Sequence, residues 1–387
     1  MDTLIRANVL GQGFCQIAIH GETIADVTKL GSELATEPYC SPGFVDIQIN
    51  GIAGVDFSAP DLTAGAAVGI LGAIRDTGVT SFCPTLVTNP LDLLKRNFRV
   101  LEEARQKSPT FAASVPCYHL EGPYLSPGGA HGAHDPSLMR HPDWREFEEL
   151  QEAAGGRIGI LTIAPELPGA EDFIRRAARS GVLVAIGHTD ALPGKIHEAV
   201  LAGARLSTHL GNGCPEFIHR HRSPIWAQLV SDELSAGMIC DGFHLPAELV
   251  QAISRLKGPE RCVLVTDCIH VAGLPPGDYH LGRTPVRHLA TGQVVTLTTP
   301  SSMGGSTLAM NQAIARYRAW GRVPLEQAVR AASVNPARLL GERYAVCRGL
   351  ERGNAANLTL WRQEGAEIRI EAVYIGGLAG KDLPSYV

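Results

Sequence analysis

The sequence predicts an α/β fold: a (β/α)8 barrel of the TIM type, with a small β-sandwich domain formed by the N- and C-terminal segments. Eight apolar runs of strand type alternate with helical patterns through the middle of the chain, the rhythm of a closed parallel barrel. Polar and ionisable residues finish nearly every one of those runs, as expected where C-terminal strand ends build a site. The two ends of the chain are instead short strands and turns, and neither end is long enough to bury a core alone.

Residues 1–41 carry hairpin-like strands over Leu4 to Leu10, Cys15 to His20 and Thr23 to Val27, separated by Gly11-Gln12-Gly13 and Gly21-Glu22. After Pro42-Gly43 come the eight runs: Phe44 to Ile47, Val79 to Cys83, Ala113 to Leu120, Ile158 to Ile163, Val182 to Ile186, Arg205 to Thr208, Ser235 to Ile239 and Cys262 to Val265. Helical patterns at Leu62 to Arg75, Leu91 to Arg105, Trp144 to Ala153, Ile196 to Ala202 and Ala247 to Leu256 fall between most of them. Gly122-Pro123 stops the third run and so presents Glu121 at a strand end. A doubly wound open sheet would require a glycine-rich phosphate loop after the first strand, and Gly51-Ile52-Ala53-Gly54 is too poor a match.

Past the eighth run, Gln293 to Thr299 reads as a short strand, and Gly304-Gly305-Ser306 introduces a helix from about Thr307 to Trp320. A further helix begins with Asn335 as N-cap and Pro336 at its first position, and stops at Gly341. Ala356 to Trp361 and Ile368 to Ile375 return to strands. Residues 1–42 and 345–387 are therefore expected to pair into one β domain, and 43–344 to form the barrel.

Composition narrows the class. The 387 residues are 45% hydrophobic and 19% charged, with a net charge of −5, as in an ordinary soluble enzyme. Without a basic stripe, no nucleic-acid partner is expected. No apolar run reaches the ~18 residues of a membrane span, and the first residues lack a secretory apolar core, so the expectation is a cytoplasmic protein with no membrane partner. Nine cysteines are scattered singly with no CxxC pair, which argues for reduced, mostly buried thiols. A metal site would then have to use carboxylates and some of the fourteen histidines.

The strand ends supply candidates. In order they are Asp46, Gln48 and Asn50, then Thr85, Glu121, Glu166, His188, His209, Asp241 with His244, and Asp267. A lone histidine is more often a satisfied buried residue than a ligand, but His188 and His209 end consecutive strands beside a strand-end glutamate. A set of two imidazoles and one carboxylate suits a zinc-like ion that keeps an open position for water. Such an ion polarises a carbonyl and lowers the pKa of its water. Asp267, on the last strand and so beside the first in a closed barrel, could shuttle a proton, or could instead orient a ligand histidine.

These residues lie in a collinear series that resembles the N-acetylglucosamine-6-phosphate deacetylase family of the amidohydrolase superfamily. The series runs Pro42-Gly43-Phe44-Val45-Asp46-Ile47-Gln48-Ile49-Asn50-Gly51, His119-Leu120-Glu121-Gly122-Pro123, Gly187-His188-Thr189, Thr208-His209-Leu210, Asp241-Gly242-Phe243-His244, Val265-Thr266-Asp267 and Gly304-Gly305-Ser306-Thr307-Leu308. Asn335-Pro336-Ala337 and Gly353-Asn354-Ala355-Ala356-Asn357-Leu358 extend it over almost the whole chain.

The resemblance implies that Glu121, His188 and His209 bind the metal and that Asp267 is the catalytic acid/base. It implies that His134 polarises the acetamide carbonyl. His131 is a rival, but the family pattern places the histidine directly after Gly132-Ala133. Ala133, Asn212, Gly213, Arg220 and His244 would bind the sugar phosphate, with backbone near Met303 and Gly304 facing the acetamide. Gln48-Ile49-Asn50 stands where many superfamily members hold a second metal with a His-x-His pair, so one divalent ion per subunit is implied, Zn2+ in the first place, with Fe2+ or another divalent ion as alternatives. The chain departs from the family at Asn212-Gly213-Cys214-Pro215, where Asn-Ala-Met-Pro is usual. The basic loop that follows leaves open whether Arg220 or Arg222 binds phosphate, and in which subunit's site.

The implied reaction is hydrolysis of the acetamide of N-acetylglucosamine 6-phosphate to glucosamine 6-phosphate and acetate, with Asp267 serving first as base and then as acid. Another N-acetylated sugar or sugar phosphate, such as N-acetylgalactosamine 6-phosphate, is the alternative substrate. A non-catalytic sugar-phosphate-binding barrel is the alternative class. The implied partners are the amino sugar phosphate and a second copy of the chain in a homodimer.

Overall fold

A computed structural model describes residues 2–299, 302–344 and 346–380. Met1, Ala345 and 381–387, assigned above to the terminal β domain, lie outside the described residues.

Eight parallel strands form the central sheet: β1 (Phe44–Ile49), β2 (Val79–Val87), β3 (Tyr118–Glu121), β4 (Ile158–Ile163), β5 (Leu183–Ile186), β6 (Leu206–Ser207), β7 (Ser235–Met238) and β8 (Cys262–Leu264), paired in chain order. All nine residues of β2 and all six of β4 are buried, as required of strands covered by helices on one face and packed into a barrel on the other. The barrel closes just beyond β8. Ile49 bridges Cys268 in parallel, the Asn50 N–H donates to the Cys268 carbonyl at 2.8 Å, and the Asp267 N–H donates to the Gln48 carbonyl at 2.9 Å. Closure therefore sets Asp267 beside Gln48 and Asn50.

The third strand is shorter than the sequence suggests. Ser108 caps a helix over Pro109–Ser114 by accepting from the Phe111 N–H, so the apolar run that starts at Ala113 begins in a helix, and the strand covers only Tyr118–Glu121. The helix expected from Leu62 to Arg75 breaks into Ala64–Gly69 and Leu71–Arg75. Helices over Ala170–Arg179, Pro224–Val230 and Leu325–Ala331 are additional. Asn335 is no N-cap: Ser333 holds that place for the helix Val334–Leu340, and the Asn335 amide instead donates to the carbonyls of Pro259 and Cys262, tying that helix to the foot of β8.

Strands from the two chain ends share one seven-stranded sheet. Asp2–Val9, Gly13–His20, Thr23–Gly31 and Tyr39–Pro42 join Leu358–Glu364, Glu367–Ile375 and Leu378–Ala379, with Tyr39–Pro42 antiparallel to Leu358–Glu364. Ile5, Ile17, Ile24, Cys40 and Leu358 form its apolar core. Trp361 is fully buried, stacks on Tyr39 at 4.8 Å and extends the barrel core. A small antiparallel meander, Gly277–Leu281, Thr284–His288 and Val294–Thr296, follows β8; the sequence hints only at its third strand.

All nine cysteines are free and eight are buried, in line with the expected reduced thiols. Among the described residues no helix is long and apolar enough to cross a membrane.

Candidate active site

Glu121 is the last residue of β3, while His188 and His209 each lie two residues past the end of their strands. Both histidines hold positive φ, +48° and +30°, and Asp267 holds +48°. Left-handed backbone at a non-glycine residue is costly and collects at functional sites; here it turns three side chains inward at the same barrel mouth. Gly213, itself at φ +56°, closes over them so tightly that a Cβ would sit 3.0 Å from His188 Nδ1 and 3.1 Å from His209 Cε1.

The three groups converge on one point. His188 Nε2, His209 Nε2 and Glu121 Oε1 are mutually 3.1 Å apart, and all three residues are buried. His188 Nδ1 lies 3.0 Å from the Ala130 carbonyl, to which only an N–H can donate, so in the neutral ring Nε2 carries a lone pair. That lone pair faces a carboxylate oxygen and a second imidazole nitrogen, an arrangement that a shared cation would satisfy. Bonds of about 2.0–2.1 Å to one tetrahedral centre would set ligand atoms about 3.3 Å apart. The donor set therefore fits a divalent metal. Burial alone would raise the Glu121 carboxyl, but the imidazoles of His188 and His209 hold it well below its usual range.

Gln48 and Asn50 join this cluster to Asp267. Gln48 Nε2 lies 3.1 Å from both Glu121 oxygens and 3.3 Å from Asp267 Oδ1, and Asn50 Nδ2 donates to the same Oδ1 at 2.7 Å. Burial, and next the Glu121 carboxylate, push Asp267 up to about 6. Asp46, a candidate beside them in the sequence, belongs to the barrel wall: its carboxylate accepts from the Thr266 N–H and hydroxyl and from the Gln48 N–H. Glu166 likewise stands outside the cluster and takes the Thr189 hydroxyl and the Asp190 N–H, which steadies the loop after His188.

His134 reaches the cluster from the glycine-rich loop after β3. Its ring lies 4.4 Å, edge-on, from that of His188. Nδ1 accepts the Thr88 N–H at 3.3 Å and lies 2.9 Å from the Thr88 hydroxyl, so the ring proton sits on Nε2. Burial, then the nearby His188, hold His134 well below the usual imidazole range, which keeps it a neutral donor. His119 is different: its ring bonds the Ile47 carbonyl and Thr162 inside the barrel, and burial pushes it down to about 4.

A cavity of about 520 Å³ opens over these groups, lined by Asn50, Glu121, His134, His188, His209 and Asp267 together with Ala133, Asn212, Gly213, His244 and Met303. Gly305 lines it where Gly304 was expected; the Gly304 N–H is taken by the Val294 carbonyl. His244 is oriented by Asp241, whose Oδ2 lies 2.7 Å from His244 Nδ1 while Oδ1 takes the Phe243 and His244 N–H groups. Arg220 and Arg222 are exposed and do not line the cavity; among the described lining residues there is no lysine or arginine. His131 does line it. Gln48 and Asn50, expected from sequence only as strand-end groups standing where a second metal's His-x-His pair would be, here bridge Glu121 and Asp267, and Thr88 is a partner of His134 that the sequence does not mark. Two amides at alternate positions where the first strand ends are the available signal for the pair; Thr88 gives none.

No protein-family model matches the chain. An N-acetylglucosamine-6-phosphate deacetylase of Bos taurus is 37% identical over 312 residues, spanning 78% of this chain and 74% of its own length. One of Homo sapiens is 36% identical over 349 residues, spanning 87% and 82%. Among solved structures, an N-acetyl-D-glucosamine-6-phosphate deacetylase from Mycobacterium smegmatis in complex with N-acetyl-D-glucosamine-6-phosphate superposes with a TM-score of 0.85 at 31% identity, covering 98% of this chain and 99% of its own.

Proposed function

The chain belongs to the N-acetylglucosamine-6-phosphate deacetylase family of the amidohydrolase superfamily, and from that premise we infer how its residues hydrolyse the acetamide of N-acetylglucosamine 6-phosphate to glucosamine 6-phosphate and acetate. Glu121, His188 and His209 would hold one divalent ion per chain, for which two imidazoles and a carboxylate favour Zn2+. When bound, such an ion supplies Lewis acidity toward the carbonyl and a nucleophilic water at neutral pH.

Asp267 takes the proton of the attacking water. Both amides occupy its Oδ1, which leaves Oδ2 as the proton-carrying oxygen. The His134 Nε2–H donates to the carbonyl oxygen as negative charge develops there. Asp267 then returns its proton to the nitrogen as the C–N bond breaks, so that the amine leaves neutral. Asn212, Gly213, His244, Ala133 and the segment at Met303 would hold the sugar, with Asp241 keeping the imidazole of His244 turned toward it.

The phosphate calls for a permanently charged side chain, and the described residues that line the cavity of one chain include no lysine or arginine. We assign that task to Arg220, with Arg222 as its rival, acting across a homodimer. Phe217 is 90% exposed and Trp226 52% exposed on the same loop and the helix after it, an apolar rim that a second copy would cover. The compartment proposed is the cytoplasm, and the unit proposed for catalysis is 43–344, braced by the terminal β strands.

One observation carries this reading: the mutual 3.1 Å approach of His188, His209 and Glu121, with an amide of Gln48 shared between Glu121 and Asp267. Acetate release from N-acetylglucosamine 6-phosphate by metal-loaded protein tests it. Turnover is expected to stop on chelation and to resume on adding Zn2+; binding of the sugar phosphate without acetate release would overturn it.

A further inference from the structure

We propose that Gln48 and Asn50 are positioning residues for the two carboxylates of the reaction, Gln48 for the ligand Glu121 and Asn50 for the acid/base Asp267. The inference rests on the roles given above to those carboxylates and adds what holds them in place.

Both amides are 2% exposed and sit where the first strand meets the closing seam of the barrel. A carboxylate only accepts, so the orientation of each amide is fixed by what it faces: nitrogen toward carboxylate, oxygen away. Gln48 spends its –NH2 on Glu121 and Asp267, reaching both oxygens of the former. Asn50 spends its own on Asp267 at 2.7 Å, the shortest of the four contacts. The Asp267 backbone is tied to the same strand, its N–H donating to the Gln48 carbonyl and its carbonyl accepting from the Ser306 N–H at 2.9 Å.

Each contact removes a freedom that the chemistry cannot tolerate. Two carboxylates in one buried site repel, and free rotamers would separate them. A shared –NH2 offers each a partial positive charge and holds them at a set spacing without adding a unit charge to the site. Gln48 grips both Glu121 oxygens, so Oε1 is held toward the histidines, the effect that outer partners have on metal-binding carboxylates generally. With Oδ1 of Asp267 taken by both amides, its carboxylate plane is set, and the other oxygen is left for the proton. An aliphatic side chain of similar size would fill the space but allow Asp267 to turn.

The test separates the two tasks. Gln48→Leu and Asn50→Leu are measured for Zn2+ affinity by chelator competition, for kcat and KM in acetate release, and for melting temperature. Gln48→Leu is expected to weaken Zn2+ binding about 10- to 100-fold. Asn50→Leu is expected to keep Zn2+ affinity within about threefold and KM within about twofold while kcat falls about 10- to 100-fold. Should Asn50→Leu fold poorly, Asn50→Ala, which takes less room, carries the same expectation. The proposal is overturned if Asn50→Leu or Asn50→Ala keeps kcat within twofold, if Asn50 variants lose Zn2+ in step with activity, or if Gln48→Leu binds Zn2+ as tightly as the parent. The Gln48 measurement uses no substrate, so it stands even if the parent protein hydrolyses a different acetamide.

Discussion

Thr88 grips His134 from two sides of one atom: its backbone N–H and its hydroxyl both meet Nδ1, at 3.3 and 2.9 Å. The residue just past β2 thus decides which nitrogen of a loop histidine carries the proton. His134→Ala is expected to lower kcat by about 100-fold or more, the cost of removing one oxyanion donor, with metal content unchanged. Thr88→Val keeps the backbone donor and loses the hydroxyl, so a drop of about tenfold is expected, restored by Thr88→Ser. Steady-state kinetics beside metal analysis would check both; loss of metal in His134→Ala would assign that residue to the ligand set instead.

Glu121 meets both imidazoles and Gln48, so Glu121→Ala leaves the histidines without a counter-charge. Metal content after purification is expected to fall below about a tenth of an equivalent. The parent protein stripped by chelator should melt at lower temperature than the loaded form, since a ligand at about 1,000 times its Kd stabilises by about 4 kcal/mol. Equal melting temperatures with and without Zn2+ would rule out this cluster as the site.

Asp267→Asn retains the side-chain shape but cannot carry a proton between water and amine. A loss of about 100-fold or more in kcat is expected with the metal still bound. Retention of more than about a tenth of the parent rate would remove Asp267 from the proton path.

The barrel was legible because its strands are buried on both faces and so read as apolar runs ending in polar residues; Ile158 to Ile163 matches β4 at both ends. Glu121, His188, His209 and Asp267 were legible for the same reason, since a polar residue after a buried run must face the mouth or find a partner. What the sequence hid depends on contacts between distant segments. Thr88 and His134 are 46 positions apart, and Asn50 and Asp267 are 217 apart. The Ala113 to Leu120 run misled because an apolar stretch does not by itself distinguish a short buried helix from a strand; the Ser108 cap decided it. Asp46 and Glu166 show the converse: Asp46, expected at a strand end, lies inside the strand Phe44–Ile49 and holds Thr266, and Glu166 holds the loop after His188.

Arg220 offers its backbone carbonyl to the Trp226 indole while its side chain is exposed and stands outside the cavity of its own chain. If a second copy receives it, Arg220→Ala should raise KM for the phosphorylated sugar about tenfold or more, the worth of a charge-assisted contact, and leave kcat within a few fold. Phe217→Asp should yield monomers by sedimentation with the same rise in KM. A tenfold effect at Arg222 alone would transfer the role to that residue, and dimers persisting in Phe217→Asp would place the interface elsewhere.

Asp46 gives a stability prediction whose sign is opposite to that of most carboxylates. Burial is the main cause that pushes it from 3.8 to about 7, only partly offset by the hydrogen bonds from Thr266 and Gln48. An acid whose folded pKa lies above its unfolded value binds its proton more tightly when folded. Its contribution is therefore a penalty that is absent below about pH 4, grows through the interval from 4 to 7, and is fully present above 7. The difference of about three units corresponds to a swing on the order of 4 kcal/mol. Asp46→Asn removes the titration while keeping the shape, and Thr266 can reorient its hydroxyl to meet the amide. The unfolding free energy of Asp46→Asn minus that of the parent, from urea denaturation, should consequently increase as pH rises from 5 to 8. A difference that stays flat over that range would mean that the Thr266 and Gln48 donors already hold Asp46 ionised near its unfolded pKa.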